Sequence, residues 1–203
     1  MSNYVYVSNE SYDILNQYKN KYPQYSEMFD TMMTHLNLRL WHQLAENLLS
    51  LTEFKDLQES NDLFELYNRL ILHIEPAFNP MKLMILIQNI VKNFSNSTNQ
   101  SHLQQALMFL ENIETRMAKE RGEEHLFLNL LKGFCYLNLG ELYKCEEILL
   151  STKADLEKRF EVDQIIYSTL YKLSTLYYER KQNYDEYYNN ALQYLAYAKV
   201  YKY

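Results

Sequence analysis

The chain has 203 residues, of which only three are glycine and three are proline. Sandwiches, barrels and doubly wound folds need glycine or proline at their frequent turns, so this scarcity favours long helices joined by short links. With glycine only at Gly122, Gly133 and Gly140, neither a dinucleotide-binding nor a P-loop glycine motif can be written. A net charge of -6, spread evenly along the chain, and the lack of any apolar run of about 18 residues argue against nucleic acid and membranes as partners.

Apolar residues recur with helical periodicity from end to end and predict about ten helices. Pro23 and Pro76 mark breaks between helices, and the charged stretch 52–60 is predicted to be a link. Asn79-Pro80 restarts a helix, because Asn is a favoured N-cap and proline is tolerated at the first helical position. In chain order the predicted helices span residues 8–18, 25–36, 40–51, 63–74, 79–92, 103–119, 123–139, 141–159, 163–181 and 184–201.

One segment of low complexity separates the fifth and sixth predicted helices. Eight of the nine residues in 93–101 are Asn, Ser, Thr or Gln, which predicts a loop. Asn99 or Ser101 is expected to cap the helix that follows, since both residue types accept hydrogen bonds from the first backbone N–H groups.

Most predicted links are about two to five residues long, so successive helices are expected to fold back on one another as antiparallel hairpins. A string of such hairpins predicts an all-α superhelix, a solenoid that resembles tetratricopeptide repeats. Gly140 is expected to end one helix in the left-handed conformation. Gly133 lies inside a predicted helix, where a small residue indicates close helix packing.

Tyrosine is concentrated in the last two predicted helices, which hold most of the 11 tyrosines found between Tyr167 and Tyr203. Two interpretations stay open. The aromatic side chains pack between adjacent helices, or some of them form a protein-binding surface, because tyrosine is enriched among interface anchors. The candidate binding residues are Tyr184, Tyr187, Tyr188 and Tyr194.

No residue pattern predicts catalysis, a cofactor or a metal site. His35 and His42 lack the companion ligands of a zinc motif, and adjacent carboxylates such as Glu146 and Glu147 point in different directions from a helix. Cys135 and Cys145 lie five residues to either side of Gly140. They are interpreted as small buried hydrophobic side chains, with a disulfide or redox pair as the alternative.

Several segments together resemble the amino-terminal half of the 26S proteasome non-ATPase regulatory subunit 13 family. The Leu-Trp-His-Gln-Leu segment that starts at Leu40 is the most specific of them. The others follow in the family's order: Leu66-Tyr67, Asn79-Pro80 with Leu83, Ala106 to Glu111, Leu137 to Leu142, Tyr171 to Ser174 with Tyr177-Tyr178, and Tyr187-Tyr188 with Ala191-Leu192 and Tyr194-Leu195. The resemblance covers residues 25–200, about half of a family member.

The resemblance implies a non-catalytic scaffold in the lid of the proteasome regulatory particle, which takes part in ubiquitin-dependent degradation in the cytoplasm and nucleus. Residues 1–203 would form the amino-terminal helical arm, without the family's carboxy-terminal domain and its winged helix. Other lid subunits are the expected partners, and the ubiquitin receptor with a von Willebrand-type domain is a further candidate. Trp41 is assigned to hairpin packing. The alternatives are an arm of a signalosome or translation-initiation complex and a small helical enzyme.

Overall fold

The computed structural model describes residues 9–58, 62–95, 100–117 and 122–198. Every regular element in these ranges is helical, which confirms the all-α fold. The chain divides into two compact units, Met1–Asn93 and Phe94–Tyr203. No helix within the described ranges combines the length and the apolar character needed to span a membrane.

In the first unit, the first three helices pack on one another in chain order. The helices of this unit are α1 Asn9–Lys21, α2 Ser26–Asn37, α3 Trp41–Leu51, α4 Lys55–Gln58, α5 Asp62–Leu66, α6 Leu72–Ile74 and α7 Pro80–Ser95. Helix α1 packs on α2, and α2 packs on α3; α1 also contacts a π-helical turn, Tyr67–Ile71, which joins α5 to α6.

The apolar faces predicted by periodicity form the core of this unit. Leucines at positions 44, 48 and 51 are all buried on α3, and Leu40 just before that helix is half-buried. Because these side chains lie on one stripe, their burial fixes the rotation of α3 about its own axis. Other fully buried members of the core are Ile14, Leu15, Phe29, Met32, Leu36, Leu70, Ile74, Met84 and Ile87.

The second unit is a series of longer helices in which chain neighbours are also neighbours in space. The helices are α8 Gln100–Met117, α9 Glu123–Leu139, α10 Leu142–Leu156, α11 Gln164–Arg180 and α12 Tyr184–Ala198. Helix α9 packs against α8, α10 and α11, and α11 packs against α10 and α12. Short connections between packed neighbours make antiparallel hairpins, as predicted.

Three hairpins turn in the same way. In each one a backbone N–H just beyond the first helix donates to the carbonyl five residues earlier, which is the outer bond of the Schellman motif. The residue before that donor is left-handed in every case: Gly140 at φ 81, and Arg39 and Gln182 at φ 56. The outer bonds are Leu40 to His35 at 2.8 Å, Glu141 to Tyr136 at 2.9 Å and Asn183 to Tyr178 at 3.0 Å.

The predicted loop over residues 93–101 is wrong at both ends. Helix α7 continues through Ser95, and α8 begins at Gln100, so Ser101 lies inside a helix and does not cap it. Asn99 lies outside the described residues. Asn, Ser and Gln are only moderately unfavourable in helices, so the apolar faces on either side extend the helices into the polar segment.

Two further boundaries differ from the sequence-based expectation. The predicted link 52–60 contains the short helix α4. The predicted continuous helix over residues 63–74 is interrupted by the π-helical turn, which widens the helix locally. Tyr67, Leu70 and Ile71 within this turn are all buried, so tertiary packing determines the local geometry.

Candidate protein-interaction site

Helix α12 rests on α11 through one side only. The ring of Tyr197 stacks on the rings of Tyr167 and Tyr171 of α11, with centroid separations of 5.2 and 5.6 Å. Asn190, also on this side, is the buried residue of α12, and its side-chain amide donates to the carbonyl of Glu186 at 2.7 Å. The contact between the two helices therefore includes a stack of three tyrosine rings.

The four tyrosines predicted to bind protein are separated by the structure into two pairs. Tyr187 and Tyr194 are half-buried and lie on the same side of α12 as Asn190. Tyr184 and Tyr188 are exposed, by 69% and 62% of their surface. The first pair is thus less exposed than the second, and a protein-binding role for any of the four tyrosines stays a prediction.

Two exposed leucines on the same face as Tyr184 and Tyr188 were missed from the sequence. Leu192 is 48% exposed and Leu195 is 55% exposed. The spacing of the four residues, at four, four and three positions apart, places them along one line on a helix, and this spacing is the signal that could have found them. We call these four residues the α12 stripe: Tyr184, Tyr188, Leu192 and Leu195.

Helices α9, α10 and α11 approach one another closely at Gly133. Gly133 of α9 lies where the three helices meet, and a Cβ atom at this position would be 2.5 Å from Cδ2 of Leu173 and 3.4 Å from Cγ2 of Ile148. Glycine lets the helices approach to this distance because it has no side chain.

Trp41, the third residue assigned a structural role, begins α3 and is half-buried. It precedes the buried residues Leu44 and Ala45 on the same helix. Its role in packing the hairpin, like the structural roles of Gly133 and Gly140, stays a prediction.

The first unit holds a buried polar cluster that connects distant parts of the chain. Asp62 at the start of α5 accepts hydrogen bonds from the hydroxyl of Tyr22 at 2.5 Å and from Nζ of Lys21 at 2.6 Å. The hydroxyl of Tyr18 lies 3.1 Å from both the backbone carbonyl oxygen of Asp62 and Oε2 of Glu65, and its single hydrogen is shared between these two acceptors. Burial and these two acidic neighbours raise the pKa of Tyr18, so it stays a hydrogen-bond donor.

Some charged side chains of the second unit form ion pairs between neighbouring helices. Glu114 of α8 accepts from Nζ of Lys132 at 2.9 Å and lies 3.4 Å from Nδ1 of His125, both on α9. Nζ of Lys181, just after α11, lies 3.2 Å from Oε1 of Glu146 on α10. Each pair joins neighbouring helices and contributes to their alignment.

The chemistry of the cysteines agrees with their interpretation as core side chains. Cys135 and Cys145 are both fully buried. Burial, reinforced by the charge of Glu146, raises the pKa of Cys145 to about 12, so the thiol is protonated near neutral pH and is a poor nucleophile. Within the described ranges no three His, Cys, Asp or Glu side chains are grouped so that they could hold a metal ion.

Helical hairpins with buried apolar faces, together with an exposed apolar stripe on α12, define a helical-repeat protein whose surface is suited to contacts with other proteins. The chain belongs to the family of PSD13 N-terminal repeats, whose sequence profile matches residues 28–203. The match begins within α2 and includes every later helix.

Three relatives are similar over nearly the whole chain. The 26S proteasome non-ATPase regulatory subunit 13 homolog A of Arabidopsis thaliana is 26% identical over 190 residues, 92% of this chain and 48% of that protein. The 26S proteasome non-ATPase regulatory subunit 13 of Dictyostelium discoideum is 26% identical over 191 residues, 93% of this chain and 48% of that protein. A probable 26S proteasome regulatory subunit rpn9 of Schizosaccharomyces pombe is 25% identical over 187 residues, 91% of this chain and 46% of that protein. The chain therefore spans about half the length of the curated relatives it matches.

Proposed function

We propose that the chain is a non-catalytic scaffold of the 26S proteasome regulatory particle, acting in its lid. The observation that carries the proposal is the family match over residues 28–203, together with the names of the relatives, which are regulatory subunits of the 26S proteasome. Two of the relatives are named as non-ATPase subunits, which supports a role without nucleotide hydrolysis.

The helical architecture supports a role based on protein contacts. Hairpins that share buried apolar faces form rigid surfaces, and their function resides in what the outward-facing side chains contact. The second unit offers such side chains on α12, where four large apolar residues face solvent. Residues 1–203 act in this proposal as the amino-terminal helical arm of the subunit, which supports assembly and ubiquitin-dependent protein degradation.

The expected partners are other subunits of the lid, with the ubiquitin receptor that carries a von Willebrand-type domain as a further candidate. The chain is expected in the cytoplasm and nucleus, where such a complex would act. An arm of a signalosome or of a translation-initiation complex is the competing assignment, because these complexes contain subunits of similar helical architecture.

Affinity purification distinguishes these assignments. A tagged copy of the protein, produced at its native level in its own cells, is expected to recover lid subunits and to sediment with the 26S particle. Depletion of the protein is expected to raise the level of ubiquitin conjugates. Recovery of signalosome or initiation-complex subunits in place of lid subunits would contradict the proposal, as would unchanged conjugate levels.

A further inference from the structure

The first unit has an open groove beside the α2–α3 hairpin. Its volume is about 370 Å³, at the small end of the range for ligand sites. Its lining residues come from the 3-10 turn Pro23–Tyr25, which leads into α2, from α2 itself and from α3. We call it the α2–α3 groove, and its lining residues are Gln24, Tyr25, Glu27, Met28, Thr31 and Asn47.

Contacts of the lining residues hold the groove in shape. The ring of Tyr25 stacks on the ring of Phe54, with a centroid separation of 4.1 Å and an interplanar angle of 3°. On the other wall, Nδ2 of Asn47 donates to Nδ1 of His35 at 3.2 Å, which ties α3 to α2. Because both walls are anchored by the chain itself, little ordering is needed when a ligand enters.

The hydrogen-bond donors of the groove are already in use. Nε2 of Gln24 and the hydroxyl of Tyr25 both donate to Oδ2 of Asp56, at 3.0 and 3.2 Å. The hydroxyl of Thr31 donates to the backbone carbonyl of Glu27 at 2.9 Å. The lining residue from α3 also donates, as described above. Each lining side chain that can donate a hydrogen bond therefore donates to a neighbour within the chain.

The polar atoms left over in the groove are acceptors. Among the residues that the structure describes, the carboxylate of Glu27 has neither an ion pair nor a hydrogen bond, and the amide oxygens of Gln24 and Asn47 have no donor. None of the lining side chains is basic, and a second carboxylate, that of Asp56, accepts from two of them. The groove is therefore complementary to a cation that donates hydrogen bonds and accepts none.

We propose that the α2–α3 groove binds the arginine side chain of an exposed segment of another protein. A guanidinium group has five N–H donors, no acceptor and a permanent positive charge, so it matches a set of acceptors that includes a free carboxylate. It binds Glu27 through two parallel hydrogen bonds, while its aliphatic stem packs on Met28 and the ring of Tyr25. This inference goes beyond the proposed function, because it names the chemistry by which the first unit recognises a partner, and it holds whichever complex contains the chain.

Other cations fit the groove less well. A lysine ammonium is compact and strongly hydrated, so it neither forms the paired hydrogen bonds to a carboxylate nor packs flat on an aromatic ring. A metal ion needs several ligands, and within the described ranges no three His, Cys, Asp or Glu side chains are grouped to provide them. The planar guanidinium uses both the acceptors and the apolar part of the groove.

Chemical-shift titration of the isotope-labelled chain tests the proposal, with a capped Ala-Arg-Ala tripeptide as the probe. One side chain with its neighbours buries much less area than a whole protein interface, so the expected dissociation constant is on the order of 0.1–1 mM. The largest changes are expected at the side-chain amides of Gln24 and Asn47 and at the backbone amides of Glu27 and Met28. The same tripeptide with citrulline in place of arginine keeps the shape and loses the charge, and it is expected to bind about tenfold more weakly.

A matched pair of variants tests the role of the carboxylate. Glu27→Gln removes the charge with little change in shape, and it is expected to weaken binding of the arginine tripeptide about threefold or more. The melting temperature is expected to stay the same, because this side chain is exposed and unpaired within the described residues. Glu161→Gln is the control, since it removes the same charge from an exposed glutamate between α10 and α11, and this variant is expected to bind as the unmodified chain does.

Four results would overturn the proposal. The first is a lack of shift changes in the groove, and the second is equal binding of the citrulline and arginine tripeptides. The third is binding that Glu27→Gln leaves unchanged. The fourth is tighter binding of argininamide than of the tripeptide, which would assign the groove to a small molecule. A lysine tripeptide that binds as tightly as the arginine tripeptide would overturn the choice of arginine.

Discussion

The first and last described helices of the chain, α1 and α12, differ in how they present their surfaces. On α1 the apolar side chains Ile14, Leu15 and Tyr18 are almost completely buried, and the residues that face solvent are polar. On α12 only Asn190 is buried, while the apolar α12 stripe faces solvent. The outward face of α1 is therefore polar, whereas that of α12 carries four large apolar side chains.

The two helices also differ in what holds them. Helix α1 is fixed by directional hydrogen bonds from Tyr18, Tyr22 and Lys21 to the start of α5. Helix α12 packs on α11 with a stack of tyrosine rings, an interaction that is less directional than a hydrogen bond to a charged group. The two helices therefore differ both in the polarity of their outward faces and in the contacts that hold them.

The largest expected difference between the helices comes from truncating one leucine on each. Leu15→Ala should lower the free energy of unfolding by about 3 kcal/mol, since it leaves a cavity in a closed core. Leu192→Ala should change it by less than about 0.5 kcal/mol, because the side chain is half in solvent. Urea unfolding followed by circular dichroism measures both. Equal losses would mean that the α12 stripe is buried in solution.

The next prediction concerns the close approach of α9, α10 and α11 at Gly133. Gly133→Ala should destabilise the chain by about 1–3 kcal/mol, because the new methyl group overlaps with Cδ2 of Leu173 in a well-packed contact between α9 and α11. Thermal unfolding measures the loss. The same substitution in a Leu173→Ala background should cost clearly less, since the clashing group is gone. A loss of equal size in both backgrounds would refute the steric explanation.

A smaller effect is expected from the hydrogen bonds of α1. Tyr22→Phe should cost about 1–2 kcal/mol, because it removes a donor to the buried carboxylate of Asp62. Tyr25→Phe is the control: its hydroxyl donates to Asp56 at an exposed site, at 3.2 Å, and its loss should be hardly measurable. If both variants have the same stability in urea, the hydrogen bonds do not distinguish α1 from α12.

Helix ends that are set by local sequence signals could be predicted from the sequence. Features that depend on contacts between residues far apart in the sequence could not. The helix ending at Leu139 was predicted to the residue because apolar periodicity and Gly140 agree on its end. The π-helical turn was not predicted, because the burial of Tyr67 and Ile71 depends on packing in the folded unit. Asp62 likewise gave no signal, since its donors on Tyr22 and Lys21 are about 40 residues away.

The candidate site was only half predictable for a similar reason. Periodicity places Tyr184, Tyr187 and Tyr194 on a common side of α12, but it does not say which part of that side α11 covers. Leu192 and Leu195, which are 48% and 55% exposed, belong to a residue type that is usually buried, so residue type alone gave no signal for them.

The smallest expected effect concerns the turns, where α11 and α12 are joined by a left-handed Gln182 and α9 and α10 by a left-handed Gly140. Gly140→Ala should cost about 1 kcal/mol, and backbone strain is the only cause, because nothing lies within 4 Å of the added Cβ. Gln182→Gly should stabilise the chain by about 0.5 kcal/mol, since glycine removes the same strain but loses more entropy on folding. Melting temperatures measure both changes. The strain at Gln182 lies in the connection that leads into α12. A gain in stability from Gln182→Gly would show that this connection, like the α12 stripe, is not optimised for stability. A loss would mean that the glutamine side chain makes a compensating contact.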